Sequence, residues 1–122
     1  MGKKAVIGIV GPCGAGKTTL TSHLLESGYN ARHIAQEHSY VKDMWKRITN
    51  PEVLIYLEVA YPITIKRRNL DWTEMEYLVQ IKRLEHAREN ADLIVDTNLR
   101  SAEEVFEIVH YYLTHLIKSV TG

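Results

Sequence analysis

Gly11-Pro12-Cys13-Gly14-Ala15-Gly16-Lys17-Thr18 decides the reading of this chain. It fills every fixed position of G-x-x-x-x-G-K-[ST]. The stretch before it, Ala5-Val6-Ile7-Gly8-Ile9-Val10, is a short apolar run with β-branched residues and reads as a buried strand. After it, residues 17–27 read as a helix with Leu20 and Leu24 on one face and Gly28 as the stop. A glycine-rich loop between strand and helix brings backbone N–H groups close to phosphate oxygens, because no Cβ intervenes. Those N–H groups form a concave nest, and the helix start adds its positive dipole end. Lys17 is expected to reach the β- and γ-phosphates, and Thr18 to offer its hydroxyl to Mg²⁺.

Working outward, strands and helices alternate. Residues 32–36 form a weak strand candidate. Tyr40, Val41, Met44, Trp45 and Ile48 fall at helical spacing before Asn50-Pro51. Val53-Leu54-Ile55-Tyr56-Leu57-Glu58-Val59 is the clearest strand. Pro62 opens a short helical turn through Arg68. Thr73 and Glu76 predict a capping box for a helix over 74–90, with Leu78, Ile81 and Leu84 along one face. Leu93-Ile94-Val95 is a fourth strand. A second capping box, Ser101 with Glu104, starts a final helix whose apolar stripe is Val105, Ile108, Val109, Tyr112, Leu113 and Leu116. This order predicts an α/β fold: a small parallel sheet of about four strands with helices on both faces.

Composition narrows the function. The 122 residues carry fifteen Lys plus Arg against fifteen Asp plus Glu, and 45% are hydrophobic. That length predicts one domain over 1–122. The zero formal charge disfavours a nucleic-acid partner, which would meet a basic surface. No apolar run approaches the ~18 residues of a membrane-spanning helix. The opening residues predict no leader, and the one cysteine no internal disulfide. The expectation is a cytoplasmic protein without a membrane partner.

The loop resembles the Walker A motif of P-loop NTPases. Asn50-Pro51-Glu52-Val53-Leu54-Ile55-Tyr56-Leu57-Glu58-Val59 with Lys66-Arg67-Arg68 resembles a strand and lid arginines of thymidylate and deoxynucleoside kinases. Ala91-Asp92-Leu93-Ile94-Val95-Asp96-Thr97 with Ser101-Ala102-Glu103-Glu104-Val105 is similar to the last strand and helix of shikimate kinases. The resemblance implies a three-layer P-loop NTPase fold and a minimal member of the small-molecule kinase branch. Its cofactors would be ATP or GTP with Mg²⁺, and its partners a nucleoside triphosphate and a small hydroxyl-bearing acceptor. Those kinases have five parallel strands where four are read here. A strand–helix unit carrying part of the acceptor site is thus absent, there is no Asp-x-x-Gly segment, and the lid, at residues 69–73, is short.

The expected nucleotide-binding residues are Gly11, Pro12, Cys13, Gly14, Ala15, Gly16, Lys17, Thr18 and Thr19. By the resemblance, Asn98 and Arg100 join them from the loop that lines the adenine pocket. Lys17, Glu37, Arg67 and Arg68 are the catalytic candidates, and Thr18 with Glu37 the metal candidates. Glu37 follows the second strand, at the carboxyl end where open α/β sheets bind ligands. If that strand lies beside the first, Glu37 replaces the absent Walker B acid; if it lies at the edge, Glu37 resembles the base of nucleoside kinases. Asp96 is the rival carboxylate. Arg67 and Arg68 have the planar fork that suits a transferring phosphoryl group, or else form a basic surface turn. Arg83 and Arg88 read as a solvated ion-pair face with Glu85 and Glu89. Tyr40, Met44 and Trp45 read as core or as a base-stacking wall, and Trp72 as packing on nucleotide or on a second subunit of a homodimer. Cys13 is expected to be alkylated faster without nucleotide than with it. Two functions remain open at this point: a phosphotransferase, or a nucleotide sensor that lacks transfer.

Overall fold

The computed structural model describes residues 5–68 and 71–121; for residue 68 and residues 117–121 only the backbone is described. Four strands make one parallel sheet in the order β2-β1-β3-β4: β1 (Val6–Val10), β2 (Asn30–His33), β3 (Val53–Glu58) and β4 (Leu93–Asp96). In β1, Ile9 pairs with Ile55 of β3 on one side and His33 of β2 on the other. β1 is therefore flanked on both sides, and whatever leaves its end emerges at the middle of the sheet's carboxyl edge.

The β3 residues are buried from Val53 to Leu57, and alternate sides reach different layers. Val53, Ile55 and Leu57 pack with Leu20 and Leu24 of α1 (Lys17–Glu26) and with Val105, Val109 and Leu113 of α4 (Ala102–Thr121). Leu54 and Tyr56 face the other layer, with Leu84 and Ala87 of α3 (Glu74–Asn90) and Trp45. The period-two alternation of a strand feeding two apolar helix faces is what makes a three-layer α/β unit. Burial pushes the Tyr56 phenol up to about 12. The short helix α2 (Tyr61–Arg68) follows β3 and carries Pro62 in its first turn. Both predicted capping boxes form: Thr73 with Glu76 at α3, and Ser101 with Glu104 before α4. Among the described residues no helix is long and apolar enough to cross a membrane.

Three expectations need correction. The second strand runs over Asn30–His33, not 32–36, and Gln36–His38 form a 3₁₀ turn. Residues 40–48 do not form an α-helix; Trp45–Thr49 form one π-helical turn. Tyr40 and Ile48 are exposed and only Trp45 of that series is buried, so the helical spacing has no apolar face to bury. In α3 the buried row is Gln80, Leu84 and Ala87, while Leu78 is exposed and Ile81 is half-buried. The row shifted because its polar member, Gln80, finds internal partners.

Candidate phosphate-binding site

The loop 11–18 leaves β1 at the centre of the sheet. Three of its glycines hold positive φ: Gly11 (+156°), Gly14 (+88°) and Gly16 (+95°). A Cβ on Gly11 would stand 2.5 Å from the Leu57 carbonyl oxygen, and one on Gly14 3.0 Å from Thr64 of α2. These two glycines let the loop lie against β3 and α2. Gly16 differs: a Cβ there would meet nothing within 4 Å, because it faces the open cleft. Among the described residues no hydrogen bond takes up the amides of Gly14 and Gly16, and the first-turn amides of α1 have no intrahelical acceptor.

Lys17 curls back under this loop. Its Nζ donates to the carbonyls of Gly11 (2.7 Å) and Pro12 (3.2 Å) and pairs with Glu37 Oε2 at 3.0 Å. The two side chains are 10% and 5% exposed, so the pair is shielded from water. The other oxygen of Glu37, Oε1, is buried with no hydrogen-bond partner among the described residues.

Glu37 owes its position to Gln36, which is fully buried. Gln36 Nε2 donates to the carbonyls of Val41 (2.9 Å) and Arg83 (3.2 Å), and its Oε1 accepts from the Trp45 amide (2.8 Å). Gln36 is thus the post that holds the turn. Arg83 is not a solvated face residue either. Its Nη1 donates to the Glu37 carbonyl at 3.3 Å, and its guanidinium lies 4.6 Å over the Tyr40 ring. Trp45 is no base-stacking wall: it is core, with Nε1 donating to His86 Nδ1 at 3.1 Å.

On the α3 side, Gln80 grips the loop twice. Its Oε1 accepts from the Cys13 amide at 3.0 Å and its Nε2 donates to Cys13 Sγ at 3.2 Å. Sequence reading missed Gln80; the signal was a lone polar member in an apolar i, i+4, i+7 row. On the opposite side Arg67 ties the loop to β4. Its Nη1 donates to the Gly14 carbonyl (3.3 Å) and to Thr97 Oγ1 (3.0 Å), and its Nη2 donates to the Thr97 carbonyl. Thr97 is itself fixed by its amide and hydroxyl, both donating to the Glu58 carbonyl at 2.9 and 2.8 Å.

Beside the Arg67 clamp lies a cleft of about 590 Å³, whose lining includes Gly16, Thr18, Thr19, Arg67, Thr97 and Arg100. The side chain of Arg68 lies outside the described residues. Asn98 Oδ1 accepts from the Ala60 amide at 2.7 Å, which spends that oxygen on the fold. Asp96 is exposed, and hydrogen bonds from the Asn98 amide and side chain hold its carboxyl below the ordinary range. Asp96 therefore braces a turn, while Glu37 faces the loop lysine. Arg88 pairs with Glu58 at 2.8 Å rather than with its helix neighbours. Trp72 is half-buried: its ring packs with Tyr61 and Tyr77, and its Nε1 donates to Thr64 Oγ1 at 3.0 Å.

A family model described as an AAA domain matches residues 7–115. The chain belongs to the AAA domain family. The same three-layer arrangement occurs in a solved shikimate kinase from Acinetobacter baumannii, in complex with shikimate. That structure superposes with a TM-score of 0.61 at 18% identity, covering 93% of this chain and 95% of the other. No curated protein matches the sequence. The three-layer P-loop NTPase fold, expected from the loop and its flanking elements, is thus borne out for this AAA domain chain.

Proposed function

We propose that this chain binds a magnesium nucleoside triphosphate, ATP or GTP, over the loop 11–18 and transfers its γ-phosphoryl group to a small hydroxyl-bearing acceptor. The observation that carries this reading is the buried Lys17–Glu37 pair, 3.0 Å apart beneath glycines whose amides are open. A lysine held by carbonyls and one carboxylate exchanges those partners for phosphate oxygens when an anion enters the loop. Its charge is then presented where negative charge develops in the transferring group.

The donor set fits Mg²⁺. Thr18 offers a hydroxyl on the first turn of α1, and the unpartnered Glu37 Oε1 offers an acceptor for a metal-bound water. When bound by Thr18 and, through water, Glu37, Mg²⁺ would neutralise negative charge on the phosphate groups. The turn carrying Glu37 follows β2, which lies beside β1 and also forms the sheet's edge; the contact of Glu37 with Lys17 supports the Walker B-like role over that of an edge-strand base. Arg67 reaches the loop from α2 and lines the cleft, and Arg100 lines it from the turn after β4, where the base of the nucleotide would lie. Thr19 stands exposed at the start of α1, within reach of the α-phosphate side of the cleft.

The second reading is a nucleotide-binding sensor without transfer, favoured by the position of β2. It is the sheet's edge, with Arg32 and His33 exposed, so little of an acceptor pocket is built beyond Glu37. An acceptor panel separates the two. ADP or GDP release that depends on one class of hydroxyl compound supports transfer. Saturable nucleotide binding with no release above background for any acceptor rejects transfer and leaves the sensor.

A further inference from the structure

The phosphate loop has an unusual neighbour. Cys13, within the loop, and Glu37 and His38, in the turn after β2, each offer one ligand atom, and the three atoms lie within 4.8 Å of one another. Cys13 Sγ is 3.9 Å from His38 Nε2, and His38 Nε2 is 3.8 Å from Glu37 Oε2. A tetrahedral zinc ion, with bonds of about 2.0–2.3 Å, holds its donors about 3.5 Å apart. The two separations to His38 need only a few tenths of an ångström of contraction, and Cys13 and Glu37 lie within 4.8 Å of each other. His38 can supply it, because its side chain is 59% exposed, whereas Glu37 is 5% exposed and fixed through Gln36.

The second observation is the Glu37 carboxylate itself. It is more than nine-tenths buried, it faces this cluster, and one of its oxygens has no hydrogen-bond partner among the described residues. A sulfur, an imidazole and a carboxylate form a donor set for Zn²⁺ or a similar borderline-soft ion, not for Mg²⁺, which takes oxygens. Three protein ligands would leave a fourth position for water. Binding releases the Cys13 thiol proton to solvent. Gln80 Nε2, 3.2 Å from the sulfur, supplies the N–H that stabilises the resulting thiolate.

From this geometry we propose that Cys13, Glu37 and His38 form a site for a thiolate-preferring divalent cation, Zn²⁺ in class, that closes the phosphate loop. The ion and Lys17 are held by the same carboxylate. An occupied site ties the loop to the β2 turn through Cys13 and removes Glu37 from the nucleotide. Metal and nucleotide then oppose each other, and the coupling is reciprocal. This antagonism rests on the nucleotide-binding reading above; the metal site does not.

Cobalt titration of the chelator-treated full chain, without nucleotide, tests the site. One equivalent of Co²⁺ should give tetrahedral visible bands and a thiolate charge-transfer band, bleached by added Zn²⁺. Cys13→Ser should lose the charge-transfer band, and His38→Ala should weaken binding by roughly tenfold or more. Absence of a thiolate band in the wild type, or an unchanged affinity in His38→Ala, overturns the site. In a second arm free Zn²⁺ is fixed by a metal buffer. Apparent ATP affinity should fall roughly tenfold in the wild type and stay unchanged in His38→Ala. Equal affinity with and without Zn²⁺ in the wild type overturns the antagonism. Failure of ATP to bind at all would count against the nucleotide reading, while the cobalt spectrum still decides the metal site.

Discussion

Lys17 Nζ and Glu37 Oε2 stand 3.0 Å apart across two elements, the first turn of α1 and the 3₁₀ turn after β2. The pair links the phosphate loop to the strand beside it while both side chains are shielded. Shielded partners couple more strongly than surface ones, because removing either leaves the other's charge uncompensated. A double-mutant cycle of Lys17→Met and Glu37→Gln, read by urea unfolding without nucleotide, should therefore show an interaction of about 1–3 kcal/mol. Additive effects would mean the pair is not formed in solution.

Much of this arrangement was legible in the residues. The loop 11–18, the burial of Val53 to Leu57 and the caps at Thr73 and Ser101 each rest on local rules: a fixed motif, an apolar run, a hydroxyl three residues before a glutamate. What was not legible depends on contacts far apart in the chain. Gln80 is 67 residues from Cys13, and Arg67 is 30 from Thr97; no local rule names a partner at such a distance. The spacing of Tyr40, Met44 and Trp45 misled because it looks helical, while Gln36 captures the Trp45 amide and the Val41 carbonyl for the turn instead. The β2 bounds moved for a related reason: residues 36–38 curl into a 3₁₀ turn beyond the pairing with β1.

The loop glycines should not respond alike to alanine. At Gly16 the methyl group meets open space, so Gly16→Ala should cost only the left-handed backbone, about 1–2 kcal/mol. At Gly11 the methyl group would lie 2.5 Å from the Leu57 carbonyl oxygen, which cannot move without disturbing β3. Gly11→Ala should therefore destabilise clearly more than Gly16→Ala in thermal unfolding. Equal losses would contradict the packing of the loop on β3.

Gln36 should behave as a structural post. Replacing it by leucine leaves the buried Trp45 amide without its acceptor and takes one donor each from the Val41 carbonyl, which keeps Ser39 Oγ, and the Arg83 carbonyl within α3. Stranded buried groups cost about 1–3 kcal/mol apiece, with partial relief by relaxation. Gln36→Leu should lower unfolding stability by about 1–3 kcal/mol, and Gln36→Glu by at least as much at neutral pH, because its second oxygen would face the Val41 and Arg83 carbonyls. A leucine variant as stable as the wild type would remove this role.

The cap of α4 gives a pH dependence. The Ser101 amide donates to Glu104 Oε1 at 2.8 Å, and hydrogen bonds from Ser101 lower the Glu104 carboxyl from its ordinary 4.5. The folded chain thus holds this proton less tightly than the unfolded chain does. The contribution is complete above the unfolded value and is lost as pH falls through the lower, folded one. Glu104→Gln should accordingly lower stability slightly at neutral pH and flatten part of the loss below about pH 4.5, so that the two chains converge in acid. An acid limb of unchanged slope would show that the cap carboxylate does not report on folding.

The central claim is that the loop 11–18 binds a nucleoside triphosphate through Lys17. Calorimetric titration of MgATP and MgGTP into the wild type and Lys17→Ala tests it most directly. The account predicts one saturable site in the wild type for at least one of them, and a weakening of roughly 100-fold or more when the lysine is removed. Absence of binding in the wild type, or equal affinity in Lys17→Ala, would contradict it.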